Sequence, residues 1–294
     1  MDRALDTITG EIITSEELWG IETIDQNRYC CPGCGINMIP EAYNRKLKLR
    51  PYFSKPEGVL HTDDCRFNIP WEQVNKAKKK SLKTAKGFLY PFPDRLILKK
   101  EQAIVADNKL VKAIHNSVKT EGEGLHPYSV ESIRSIVKHY IDFPNDRDLL
   151  LDIPGTGSEQ NDYQTLFKKV PDNKLIRGSY VFYDRLHNSK MQLNDNELII
   201  QLISGEWNDL NVQVQPNFLH IDISAWSEDQ INIVKKEFEV SRYEEKESIR
   251  FRENKKRFVF FLGEQDLKEK HKFTLKDYRH ICCLTIEKNW YYKY

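Results

Sequence analysis

The 294-residue chain lacks any stretch approaching the roughly 18 consecutive apolar residues that a membrane-spanning helix needs. Its first residues, MDRALDTITGEIITSEEL, place acids where a secretory signal would carry a basic start and an apolar run. Both absences lead us to expect a cytoplasmic protein without membrane contact. Net charge is almost absent as well: the formal value is +1, so the global balance argues for neither nucleic acid nor membrane, and only the local distribution of charge is informative. Cysteine is sparse. The six residues, Cys30, Cys31, Cys34, Cys65, Cys282 and Cys283, make a poor disulfide framework for a chain of this size, and a metal under reducing conditions accounts for them better.

Catalytic signatures are missing too. The sequence has no Gly-x-Ser-x-Gly elbow, no His-Glu-x-x-His pair and no kinase set. The stretch DIPGTGSEQNDY superficially suggests a phosphate loop, but no Lys-Ser/Thr follows its last Gly to reach phosphate and magnesium. A magnesium-dependent nuclease needs an Asp and a Glu-x-Lys at strand ends. Pieces such as Glu244 to Lys246 and the segment around Glu269 lie instead in helix-like or polar stretches. His115, His126 and His139 stand without an acidic or thiol cluster at metal spacing. No catalytic residue is assigned.

What the chain does have is a hydrophobic fraction of 39% and an aromatic fraction of 11%, enough for a packed core under a very polar surface, and a length that suits more than one domain. Within RYCCPGCG, Cys31 and Cys34 form a Cys-x-x-Cys turn in which Pro32 and Gly33 let the backbone fold back, so that both thiolates face one point. The second half of a tetrahedral site is His61 and Cys65 in HTDDC, on one face if that piece is helical. Between the halves, two β-compatible runs separated at Asn44 and Arg45 suggest a hairpin, hence a ribbon-like module. We read Cys31, Cys34, His61 and Cys65 as ligands of a structural Zn2+ ion. Cys30 could replace Cys31, and Asp63 or Asp64 one of the other two.

From Leu5 to Cys65 the chain, with TGE at 9–11, YCCPGCG, RPYFS and HTDDC, resembles the N-terminal zinc-finger region of CoiA-like competence proteins. Tyr52, Phe53 and Ser54 match the aromatic part of that pattern, while the His that commonly flanks it is absent. The resemblance covers the first quarter of the chain and implies the metal module. In that family a nuclease-like domain follows, and its activity is not carried over.

Next comes a basic stretch. Residues 71–100 carry eight Lys and one Arg against Glu72 and Asp94. Lys76, Lys79, Lys83 and Lys86 recur at helical spacing and would form one positive face able to neutralise phosphates, or simply a solvated one. Gly87 is placed to end that helix, and Pro91 and Pro93 forbid its continuation among the alternating Phe88, Tyr90 and Phe92. Residues 129–141, SVESIRSIVKHYI, read as an amphipathic helix opening near Ser129.

From about Asn173 the texture becomes β-rich. KLIRGSYVFYDRL, NELIIQLIS and NFLHIDIS precede a long helix capped by Ser227 with Ile231, Val234 and Phe238 on its stripe, and KRFVFFLGEQ and RHICCLTIEK follow. Three strands, a helix and two strands is the order of the oligonucleotide/oligosaccharide-binding (OB) barrel. Arg177, Tyr183, Lys256, Arg257 and Lys272 would lie near its strand ends, where single strands bind; Cys282 and Cys283 read as core.

The expected fold class is therefore α+β: a zinc-ribbon domain (1–70), a basic helical connector region (71–172) and an OB-like five-stranded β-barrel with one long helix (173–294). The expected function is a non-catalytic nucleic-acid-binding accessory role, plausibly on single strands. The alternatives are a scaffold that docks onto an enzymatic protein partner and a divergent metal-dependent nuclease.

Overall fold

The structure is a computed structural model that describes residues 1–63, 65, 67–69, 71–84, 90–97, 125–156, 161–189, 191–210 and 212–292. The N-terminal part holds a three-stranded sheet in the order β2-β1-β3, from β1 (Arg3–Asp6), β2 (Ile12–Thr14) and β3 (Tyr29–Cys30). The expected hairpin follows: β4 (Ile39–Glu41) pairs antiparallel with β5 (Tyr52–Ser54), and Leu47 N donates to Asn44 O in the turn between them. Ala4, Leu18, Tyr29, Met38 and Phe53 pack with Cys31 and Cys65 into one buried cluster.

The segment that follows contains α1 (Trp71–Lys79), the parallel pair β6 (Tyr90–Leu96) and β7 (Leu125–Val130), α2 (Ile133–Asp142), and a single turn α3 (Tyr163–Leu166) leading into β8 (Phe167–Lys169). Two helix expectations are corrected here. Helix α1 ends at Lys79, so Lys83 falls in a separate 3-10 turn, Leu82–Thr84, and no single helical face carries both; Lys86 and Gly87 lie outside the described residues. Helix α2 begins at Ile133 with Ser132 as its cap, whose hydroxyl accepts from Arg134 N at 3.3 Å, because Ser129 and Val130 are committed to β7. Its apolar stripe, Ile133, Ile136 and Val137, is fully buried.

The rest of the chain builds one large sheet from β8 and β9 (Ser179–Arg185), β10 (Gln192–Leu193), β11 (Glu197–Trp207), β12 (Gln213–Asp222), β13 (Lys255–Gln265), β14 (Lys272–Leu275) and β15 (Ile281–Glu287). Its order is β10-β11-β12-β14-β13-β9-β8, with β15 also on β13. The sheet is mostly antiparallel; β12 with β14 and β8 with β9 are the parallel pairs. This corrects the five-strand expectation. KFTL, not RHICCLTIEK, lies between β12 and β13, and the latter forms an additional strand, β15. Just past β9, Leu186 touches Leu202 of β11 through an isolated bridge without a ladder, so the sheet is open and a closed barrel is not shown.

Strand β13 explains why the sheet is thick. Its run RFVFFLG is apolar without alternation, as suits a strand covered on both faces. Phe258, Phe260 and Leu262 point into a core shared with α2, β6 and α3, whereas Val259 and Phe261 point into a second core under α4 (Glu228–Arg250). Cys282 and Cys283 divide between the same two cores, both buried. Helix α4 starts as expected at Ser227, in a capping box with Gln230, and buries Val234 and Phe238. Gly205 in β11 sits at φ +135°, where a Cβ would meet Gln215 O at 2.4 Å, so the bulge there requires glycine.

Candidate metal centre

Strand β3 delivers the first half of the site. Immediately after it the chain folds back, with Cys31 N donating to Ile36 O at 2.8 Å and Gly35 N to Cys31 O at 2.9 Å. Gly35 takes φ +74°, which favours glycine. Gly33 is needed for a different reason: a Cβ on it would stand 2.9 Å from the Cys65 sulfur. The second half comes from a turn in which Cys65 N donates to Thr62 O at 3.0 Å. The helix anticipated across HTDDC is not formed in its described residues, and that turn gives the four-residue spacing the same effect.

Cys31, Cys34, His61 and Cys65 have their donor atoms within 4.8 Å of one another, so they could hold a metal ion. Cys31 Sγ lies 3.8 Å from Cys65 Sγ, and His61 Nδ1 lies 3.2 Å from Cys34 Sγ and 3.5 Å from Cys65 Sγ. A tetrahedral ion with metal–sulfur bonds of about 2.3 Å and metal–nitrogen bonds of about 2.0–2.1 Å needs edges of about 3.8 Å and 3.5 Å. Three side-chain separations thus fall at or near the edges of such a tetrahedron.

The electrostatics of the thiols are unequal. Burial pushes Cys34 up, but hydrogen bonds from Ile36 N, from His61, from Thr62 N and from Cys65 outweigh it and bring the thiol down to about 6. Burial, contact with Cys34 and the neighbouring Cys31 push Cys65 up to about 12. Without a cation the pocket therefore favours one thiolate beside retained protons, and a divalent ion would reverse that preference by supplying the missing positive charge. Cys30 stands apart: it pairs with Leu5 in the sheet and is not in the group. Asp63 is not in the group either, and Asp64 lies outside the described residues.

The residues anticipated to meet nucleic acid are scattered. Lys76 and Lys79 are exposed on α1, while Lys83 is ion-paired to Asp148 at 2.5 Å. Arg177 is exposed ahead of β9, and Tyr183 is half-buried against Phe260 and Trp290. Arg257 is buried and its guanidinium is held 2.8 Å from Glu245, which Lys256 also approaches at 3.8 Å. Lys272 opens β14, half-buried. Among these, Lys76, Lys79 and Arg177 combine exposure with no ion pair among the described residues.

A buried carboxylate that the sequence did not single out joins the parts of the molecule. Glu237 on α4 accepts from Cys283 N at 2.7 Å and from Arg50 at 2.6 Å and is ion-paired with Arg134, which in turn lies 2.8 Å from Glu16. These partners are remote in sequence, so no spacing pattern could have revealed them. Against protein-family profiles, curated proteins and solved structures, the chain has no match. No helix among the described residues is long and apolar enough to cross a membrane.

Proposed function

We propose that this chain is a zinc-stabilised nucleic-acid-binding accessory protein that acts on single strands through an OB-like sheet. Three thiols and one imidazole are the donor set that suits zinc, and the burial of Cys31 and Cys65 within the N-terminal core suits a structural ion.

The observation that carries the nucleic-acid reading is the pairing of β14. It lies parallel to β12 and antiparallel to β13, with α4 connecting those two strands and β9 on the far side of β13. Taken as strands one to five, β9, β11, β12, β13 and β14 follow the OB order, and the touch of Leu186 on Leu202 sits where the first and second strands would close. In such folds the surface around the second and third strands receives oligonucleotides. Half-buried Phe218 and His220 lie on β12 in that region.

Fluorescence polarisation with single-stranded DNA, duplex DNA and RNA at several salt concentrations tests the reading. A salt-dependent preference for single strands is expected, and no shift with any of the three overturns it. Trp207, Leu210, Val212 and Val214, exposed around the β11–β12 turn, favour a second reading as a scaffold for a protein partner. Co-purification of a partner without any nucleic-acid shift would select that second reading.

A further inference from the structure

Where β9, β11 and β8 converge, the surface opens into a cleft of about 180 Å³. That volume is below the roughly 300–1,000 Å³ of whole small-molecule sites and suits a single flat ring. The cleft is lined by four aromatic side chains, Tyr183, Trp207, Phe258 and Tyr291, and by two cations, Lys169 and Arg185.

The state of the two cations sets this cleft apart from the other basic surfaces. Arg185 makes no ion pair among the described residues, and its buried Nε has no hydrogen-bond partner. Elsewhere the buried guanidiniums of Arg134 and Arg257 are each held by a carboxylate. Two carboxylates do stand in the cleft, but both accept from backbone amides of β9 and the β11 bulge. Asp184 accepts from Arg185 N at 2.7 Å and from Ser204 N at 2.8 Å, and Asp172 accepts from Gly205 N at 3.5 Å. Arg185 thus carries an unpartnered N–H in a side chain that lines the cleft, and the exposed Lys169 lines it too. Trp207 is 46% exposed at the end of β11, just beyond the bulge, and offers an aromatic face at the edge of the cleft.

We propose that this cleft takes one aromatic base together with its phosphate, the base stacked on Trp207 and the phosphate held by Arg185 and Lys169. The chemistry is that of a nucleotide, free or within a strand; the strand is favoured by, and rests on, the nucleic-acid reading above. Aromatic stacking tolerates any base, so the site adds affinity without sequence preference.

The test uses the full chain with fluorescein-labelled dT12 and, separately, with unlabelled TMP, on wild type and on the Arg185→Gln, Lys169→Gln and Trp207→Ala variants. Melting curves confirm folding, and the two exposed positions keep the test valid if Arg185→Gln fails to fold. Trp207→Ala is expected to weaken dT12 binding roughly fivefold to a hundredfold, the range for one stacked base. Loss of one phosphate contact in Arg185→Gln should reduce the slope of log K against log salt by about 0.7. If wild type binds dT12 and all three variants bind equally well, the cleft is overturned while the nucleic-acid reading stands. Binding of TMP but not dT12, with the same dependence on Arg185 and Trp207, keeps the cleft and overturns the strand reading. Failure of wild type to bind either probe overturns the cleft, and the nucleic-acid reading falls with it if duplex DNA and RNA also give no shift.

Discussion

Arg50, in the turn between β4 and β5, places its guanidinium 2.6 Å from the carboxylate of Glu237 in the middle of α4, 187 residues away in sequence. The same guanidinium reaches Glu244 at 2.8 Å and Cys283 O at 2.7 Å. The part that carries the cysteine–histidine cluster is therefore tied to the large sheet by a charged contact that excludes most solvent. Such contacts fix an arrangement more than they add net stability, because desolvation offsets much of the attraction.

Removing one partner is a different matter, since the others are then left buried without compensation. Glu237→Ala should destabilise the fold by about 3–5 kcal/mol in urea unfolding, whereas Asp229→Ala, which breaks the exposed pair with Arg45, should cost about 0–1 kcal/mol. Equal effects would contradict the assignment of Glu237 as the joint.

Cys34→Ser and Cys30→Ser separate the ligand from its neighbour. The first should lower bound metal and the melting temperature together. The second should leave metal content intact and stability within about 0.5 kcal/mol, because Cys30 lies outside the cluster. Elemental analysis and calorimetry of both variants decide it.

Gly33→Ala tests the geometry without touching a ligand. The added methyl would stand 2.9 Å from the Cys65 sulfur, so the thiolate must move. Metal affinity should fall roughly tenfold or more, the scale seen when the support of ligands is disturbed. Competition with a chromogenic chelator measures it, and unchanged affinity would refute the close approach.

Stability against pH carries the mark of two buried groups of opposite sign. Burial depresses His139 to about 3, so below about 6.5 the unfolded chain takes up a proton that the native state refuses, and stability falls as pH drops from about 6.5 towards 3. Burial raises Asp184 to about 6 despite the hydrogen bonds from Ser204 and Arg185, so the native state binds the proton first, and this group adds stability as pH drops from about 6 towards 4. His139→Phe should flatten the acid loss, and Asp184→Asn should steepen it between those values. Urea midpoints at pH 4, 5, 6 and 7 would show either outcome.

The cluster was legible in the sequence because its two halves are local: Cys31 with Cys34 and His61 with Cys65 each declare themselves by spacing, and only their meeting requires the fold. Helix α4 was legible from Ser227 and its stripe. Strand β14 was not, because KFTL is four residues flanked by charge, and only its pairing with β12 and β13 marks it as a strand in the middle of the sheet. The lysine stripe failed for a related reason. Helical spacing from Lys76 to Lys86 presumes one helix, and α1 stops at Lys79, with Asp148 claiming Lys83. Arg50 and Glu237 left no trace in the sequence, since contact across 187 residues has no period.

Native mass spectrometry of the whole chain, purified without added metal or chelator, addresses the central claim most directly. One zinc ion per chain is expected, lost on chelation together with a drop in melting temperature and restored by added zinc. A metal-free chain whose melting curve responds neither to chelator nor to zinc would contradict the account.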